Sequence, residues 1–312
     1  RPMRIGFLYS NPSAGYLSAL LVGLLGQASL HNMQLFVEKC DDQAHQLEQI
    51  ARLVANNLDG IILPPPLGDD PAILARLKST GAAVVIVACG QPDPEVSSVS
   101  IDDYLAAYQM TRQLIDLGHH RIGFIAGDGN QTASARRLAG HLAALREAGA
   151  DTGAELVVPG LYTYRSGLEA AESLLALAER PTAIFASNDD MAAATVAVAH
   201  RLGMDVPGDL TVTGFDDTAL ATTIWPALTT VHQPISDMAG AAVRLLQRQI
   251  RSRREGAPQA AEHQLMAFSL IRRQSDAAPR VRPPARMTMP PAPQQKPQQQ
   301  RPRDKKLSPP SA

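Results

Sequence analysis

Leu114-Ile115-Asp116-Leu117-Gly118-His119-His120-Arg121-Ile122-Gly123-Phe124-Ile125-Ala126-Gly127 carries the decisive pattern of the chain. Apolar residues at helical spacing run up to Leu117, and Gly118 stops the helix. A short run without alternation, Ile122–Ala126, then reads as a strand buried on both faces and opens into a glycine turn. A helix handing over to a doubly buried strand is the repeating unit of a parallel sheet covered by helices.

The same unit recurs on both sides of this stretch. Upstream, strands are expected at Arg4–Tyr9, Gln34–Glu38, Gly60–Leu63 and Ala83–Ala88, with helices at Tyr16–His31, Gln43–Asn56 and Pro71–Thr80. Helix Tyr104–Leu117 and strand Arg121–Ala126 restart the rhythm. Strands Glu155–Val158, Thr182–Ala186 and Leu210–Gly214 follow, interleaved with helices Ser134–Ala148, Ser166–Leu177 and Met191–Leu202. Two successive doubly wound units of similar length result. Strand Thr229–His232, helix Ile235–Arg253 and strand Ala267–Ile271 are too little for a third domain and must complete the first two.

The 312 residues, 45% of them hydrophobic, suffice for two cores of ordinary size. No run approaches the ~18 apolar residues of a membrane helix, and the N-terminus enters a strand-like segment at once without a signal-peptide region. The expectation is a cytoplasmic protein with no membrane partner. Two cysteines, Cys40 and Cys89, are too few for a disulfide framework or a Cys-rich metal site and read as buried thiols. The net charge of −1 conceals an asymmetry: from Ser275 onward eight basic residues face two acidic ones, leaving 21 basic and 28 acidic before it, a net −7. A body of that sign is a poor surface for nucleic acid. The last segment, 276–312, is rich in Pro, Gln and basic residues and reads as a disordered tail.

Several segments resemble the LacI/GalR family of transcription regulators. They are the opening stretch 114–127, Ala186-Ser187-Asn188-Asp189-Asp190-Met191-Ala192, Thr213-Gly214-Phe215-Asp216-Asp217-Thr218, and Pro226-Ala227-Leu228-Thr229-Thr230-Val231 leading to Gln233-Pro234. Their order and spacing match over residues 4 to about 275. The resemblance implies a periplasmic-binding-protein-like effector domain of type I, two Rossmann-like lobes joined by three crossovers near Ser100–Asp102, His232–Pro234 and His263–Leu265. The N-terminal lobe would hold 1–100 and 233–262, and the C-terminal lobe 102–231 and 264–275. It further implies a homodimer or higher homo-oligomer and a small-molecule effector, a sugar or related polar metabolite. Operator DNA would be reached only through a helix-turn-helix that this chain does not include, so the sequence reads as a truncated piece of a regulator, a repressor by kinship.

In open α/β sheets ligands bind beyond the carboxyl ends of strands. The loop after the first strand offers Asn11, Ser13 and Tyr16, with helix capping by Ser13 as the plain structural reading. By the resemblance, Arg137, Tyr162 and Asn188 align with effector contacts. The planar fork of arginine suits a diol or a carboxylate, and an amide both donates and accepts. Asp216 supplies a carboxylate expected to face Arg137; for capping the helix near Met191, Asp189 is preferred to Asn188. Trp225 reads as a packing residue. No catalytic residue, metal ligand or cofactor is expected. A nucleotide-dependent enzyme is the rival reading, but Gly127-Asp128-Gly129 is followed by Thr132 where the third dinucleotide-binding glycine belongs. A solute-binding protein serving a transporter shares the fold and remains the other alternative.

Overall fold

The structure, a computed structural model, describes residues 1–257 and 259–280. In chain order the first half reads β1 (Met3–Tyr9), α1 (Ala14–Leu30), β2 (Met33–Lys39), α2 (Gln46–Ala55), β3 (Gly60–Leu63), α3 (Pro71–Thr80), β4 (Ala83–Val87) and β5 (Ser97–Ile101). The second half follows as α4 (Asp103–Asp116), β6 (Ile122–Ala126), α5 (Thr132–Ala148), β7 (Val157–Pro159), α6 (Tyr164–Leu175), β8 (Ala183–Ala186), α7 (Asp189–Arg201), β9 (Thr211–Asp216), a short α8 (Leu220–Thr223) and β10 (Thr229–His232). Helix α9 (Ile235–Arg254) and strands β11 (His263–Met266) and β12 (Ser269–Ile271) close the fold.

Two six-stranded sheets result, in the orders β11-β5-β4-β3-β1-β2 and β12-β10-β9-β8-β6-β7. Every pairing is parallel except that of β10 with β12. Each sheet reverses its winding once, between β1 and β3 and between β6 and β8, the topological switch points of doubly wound sheets. Strands β3, β4 and β8 are buried at every position, which is why they read as unbroken apolar runs rather than alternations. Helix α3 shows the local logic of the helices. Asp70 accepts from the Ala72 and Ile73 amides, Pro71 stands at the first turn, and Gly81 ends the helix at φ +71°.

The chain exchanges between sheets after β5, after β10 and between β11 and β12. The third exchange corrects the sequence expectation. His263–Met266 form a strand paired in register with Ser98–Ile101, so residues 264–266 hydrogen-bond into the first sheet and the chain crosses at Ala267 and Phe268. Neither β5, Ser97-Ser98-Val99-Ser100-Ile101, nor β11 has the apolar signature of a strand, because one is serine-rich and the other is a half-exposed edge. Residues 276–280, read as the start of the tail, instead pack on the second sheet. Asp276 accepts from the Thr229 hydroxyl at 2.5 Å, the Ala277 carbonyl lies 2.7 Å from His119 Nε2, and Arg280 pairs with Asp205. The tail expectation for 281–312 lies outside the described residues.

Trp225 is likewise corrected: it is 73% exposed, with its ring beside that of His200, because it sits in the loop after α8 rather than on a strand. Both thiols are buried and unpaired with each other. No helix among the described residues is long and apolar enough to cross a membrane. One apolar cluster runs from Ile5 and Val99 through Met110 and Leu114 to Phe124, Phe185 and Phe215 and so spans both sheets, while separate clusters around Ile61 and Leu63 and around Ile184 and Val212 pack on their other faces.

Helices α4 and α5 approach closely at Gly140, where an added Cβ would stand 2.1 Å from the Tyr104 carbonyl oxygen. Backbone cannot yield as a side-chain tip can, so Gly140→Ala must push the helices apart. The expected cost is roughly 1–3 kcal/mol, read as a lower urea midpoint with unchanged slope.

Candidate functional site

Between the carboxyl ends of the two sheets lies a narrow cavity, with about 320 Å³ of empty space when the solvent at its opening is included. Asn11, Ser13, Tyr16, Arg137, Tyr162, Asn188 and Asp216, all seven residues singled out from sequence, line it together with Pro65, Ala88, Gln131 and Gln233. Nearly every one follows the end of a strand: β1 delivers the first three, β3 Pro65, β4 Ala88, β7 Tyr162, β8 Asn188, β9 Asp216 and β10 Gln233. Ala88, Tyr162 and Asp216 hold φ of +61°, +62° and +114°. Left-handed backbone costs about 1–3 kcal/mol in a residue with a Cβ, and its concentration here marks a place where the surroundings enforce unusual geometry.

The electrostatics centre on Arg137, which is 4% exposed. Its Nε donates to Asp103 Oδ1 at 2.8 Å, its Nη1 to the Ser187 carbonyl at 2.6 Å, and the Phe215 ring lies 3.6 Å from its guanidinium carbon. Burial alone would favour the neutral arginine; the Asp103 carboxylate, with Asp216 beyond it, holds the group above its ordinary range. The sequence reading expected Asp216 as the carboxylate facing Arg137. Asp103 takes that place, because it opens α4 directly after the first crossover and so arrives beside α5. Asp216 instead accepts from Gln233 Nε2 at 2.7 Å, and burial pushes its carboxyl up to about 7 against the pull of Arg137 and that hydrogen bond.

Several polar groups are spent within the protein. Asn11 donates to the Pro65 carbonyl and accepts from the Ser13 amide. Ser13 caps α1 and also donates across the cleft to Asp190 Oδ2 at 2.5 Å. Asn188, rather than Asp189, caps α7, accepting from the Met191 amide at 3.0 Å while donating to the Tyr162 carbonyl. Asp189 is fully buried and accepts from the Thr218 amide in the loop after β9 and from the Thr230 hydroxyl in β10, with its carboxyl well above the usual range through burial and the nearby Asp216. Tyr162 shares a 2.7 Å hydrogen bond with the Ser134 hydroxyl. Gly127, half of the rival dinucleotide motif, is required for that ring: a Cβ there would lie 2.1 Å from it. Other groups remain unanswered. The Tyr16 hydroxyl and Gln233 Oε1 are buried without a partner, the kind of vacancy in hydrogen bonding that a ligand fills.

The cleft is shut. Besides Ser13 and Asp190, the Thr132 hydroxyl donates to Asp69 Oδ1 at 2.5 Å and accepts from the Gln91 amide at 2.9 Å. Among the described residues no cluster of His, Cys, Asp and Glu has the arrangement of a metal site.

Residues 111–275 match the family model of the periplasmic binding protein-like domain. Catabolite control protein A of Priestia megaterium is 33% identical over 244 residues, covering 78% of this chain and 73% of its own. The chain belongs to the LacI/GalR family. The transcriptional repressor CytR of Escherichia coli is 31% identical over 247 residues, 77% of this chain and 71% of that one. Among solved structures, the transcriptional regulator CelR in complex with cellobiose superposes with a TM-score of 0.80 at 29% identity, covering 88% and 85% of the two chains. These relatives are regulators of transcription, and in this LacI-type chain the two lobes form the effector-binding region. The residues missed in the sequence, Asp103 and Gln233, lie at a helix start and a crossover; the signal available for Gln233 was its place directly after a strand.

Asp216 supplies a test free of any ligand. An acid whose folded pKa is raised loses stability as pH climbs from its unfolded value near 4 to about 7, and the loss is then constant. Asp216→Asn keeps an acceptor for Gln233 and abolishes this titration. It should therefore gain on the parent protein between pH 4 and 7, reaching roughly 2–4 kcal/mol by pH 8 in urea unfolding.

Proposed function

We propose that this chain senses a small polar effector, a sugar or related metabolite, held between the lobes by Tyr16, Arg137, Tyr162, Asn188, Asp216 and Gln233, with Asn11 and Ser13 shaping the floor. The observation that carries the reading is the pair of buried, unpartnered atoms facing one cavity, the Tyr16 hydroxyl and Gln233 Oε1. A hydroxyl-bearing ligand can answer both, since one hydroxyl donates and accepts. The solved relatives described with bound cellobiose and with bound ribose support the ligand class.

Closure converts binding into a signal. Ser13, Asp69 and Gln91 of one lobe meet Asp190 and Thr132 of the other only when the cleft is shut. An effector that fits only that state shifts the lobes toward it by its differential affinity. In a homodimer joined through the first lobe, such a shift alters the spacing of DNA-binding heads. The exposed apolar side chains Val22, Leu25 and Leu30 on α1, with Phe36 and Val37 on edge strand β2, suit that contact. DNA contact is assigned to a helix-turn-helix that these residues do not include, and the protein to the cytoplasm. No nucleophile paired with a general base lines the cavity, so binding rather than turnover is the assigned role.

Tyr16→Phe tests this directly. The hydroxyl has no partner in the ligand-free protein, so its removal leaves the melting temperature unchanged or raised. Against a sugar found by thermal-shift screening, calorimetry should show affinity reduced about tenfold, the worth of one buried hydrogen bond. Unchanged affinity contradicts the site.

A further inference from the structure

We propose that the cleft selects an uncharged, hydroxyl-rich effector and rejects phosphorylated and carboxylated analogues, because the chain's own groups already fill its anion-binding positions. The inference rests on the sensor reading above and adds the charge of the ligand.

Three helices, α1, α5 and α7, begin at strand ends beside the cavity, and a helix N-terminus is a natural seat for an anion. None of the three is open. Ser13 caps α1, accepting from the Tyr16 amide. Asn188 caps α7, whose first turn also carries Asp189 and Asp190. Helix α5 has no side-chain cap of its own; Asp69 reaches it from the opposite lobe, its Oδ1 accepting from the Thr132 hydroxyl at 2.5 Å. A carboxylate of the protein thus stands where the carboxylate or phosphate of a ligand would stand.

The one basic side chain lining the cavity already has its charge paired within the protein, though donors remain on its guanidinium for a ligand hydroxyl. Arg137 bonds Asp103 and the Ser187 carbonyl, and Phe215 covers its face. Around it Asp69, Asp103, Asp190 and Asp216 outnumber it, and they raise one another: Asp190 acts on Asp216, and Asp103 on Asp69. The outer mouth of the cleft adds Asp70 and Asp128 and no basic residue. An incoming phosphate, carrying nearly two charges at pH 7, would enter this field with the one cation there already paired with Asp103. The buried atoms here that lack partners, the Tyr16 hydroxyl, Gln233 Oε1 and the second carboxylate oxygens of Asp69 and Asp103, are answered by hydroxyl groups and offer an anion nothing beyond the one phenol O–H.

The test compares twins by thermal shift and calorimetry on the whole chain: ribose with ribose 5-phosphate, glucose with glucose 6-phosphate, gluconate and glucosamine, and adenosine with its monophosphate. The expected result is that at least one uncharged member binds and its anionic twin binds at least tenfold more weakly. Asp69→Asn keeps the acceptor for Thr132 while removing the charge, and should narrow that gap several-fold. An anionic or cationic twin that binds as tightly as the neutral one overturns the charge selection, and silence from every pair overturns the ligand class. Binding that survives Tyr16→Phe unchanged overturns instead the placement of the ligand in this cleft.

Discussion

A guanidinium buried where water cannot reach must have its charge answered by the protein, and Arg137 meets that requirement through Asp103. The pair links the start of α4, directly after the first crossover, to the middle of the first turns of α5. A buried pair of this kind adds little net stability, since desolvation offsets the attraction, yet removing either partner alone costs about 3–5 kcal/mol. Its value is positional. It fixes the strand-end loops of the second lobe around one point, with Ser187 after β8 and Phe215 in β9 packed on the same guanidinium. A truncation of Arg137 therefore damages the fold as well as the cavity, and subtler changes such as removal of one hydroxyl are needed to separate the two.

Around that fixed point the lobes meet through few and short polar contacts. Ser13, Asp69 and Gln91 on one side face Asp190 and Thr132 on the other. Gly90 is what lets them meet: a Cβ there would stand 2.5 Å from the Ala133 backbone across the cleft. The seam buries carboxylates, which is unfavourable, and satisfies them with hydroxyls, which is only partly compensating. In our reading, a ligand that supplies the missing partners of Tyr16 and Gln233 adds to this seam and favours the shut state.

Much of this was readable in the sequence, for reasons that can be stated. Strands buried on both faces, such as Gly60–Leu63 and Ala83–Val87, advertise themselves as apolar runs, and helices such as Pro71–Thr80 carry caps at both ends. The strand-end rule, together with the family resemblance that named Arg137, Tyr162 and Asn188, pointed to seven residues that all line one cavity. What escaped depends on the junction between lobes. Ser97–Ile101 is an interior strand rich in small polar residues, two of whose hydroxyls are satisfied by neighbours, Ser97 by the Gln249 amide and Ser98 by the His263 ring, while Ser100 Oγ is buried without a partner. His263–Met266 is an edge whose partner is 165 residues away in sequence. The pairing of Arg137 with Asp103 rather than Asp216 follows from where α4 begins in space, which no local pattern encodes. The exchange of capping roles between Asn188 and Asp189 has a similar origin, since Asp189 is claimed by Thr218 and Thr230.

That the cleft closes on its effector is the claim on which sensing depends, and an interlobe distance reports it most directly. Spin labels on Glu48→Cys in α2 and Ser173→Cys in α6, both exposed positions, place one probe on each lobe while the native thiols stay buried. Adding a saturating effector to the ligand-free protein should shift the distance distribution to a shorter, narrower peak, and Gly90→Val should abolish that shift. A distribution that stays the same on binding, or that shortens equally in the Gly90 variant, would contradict closure as the event the effector controls.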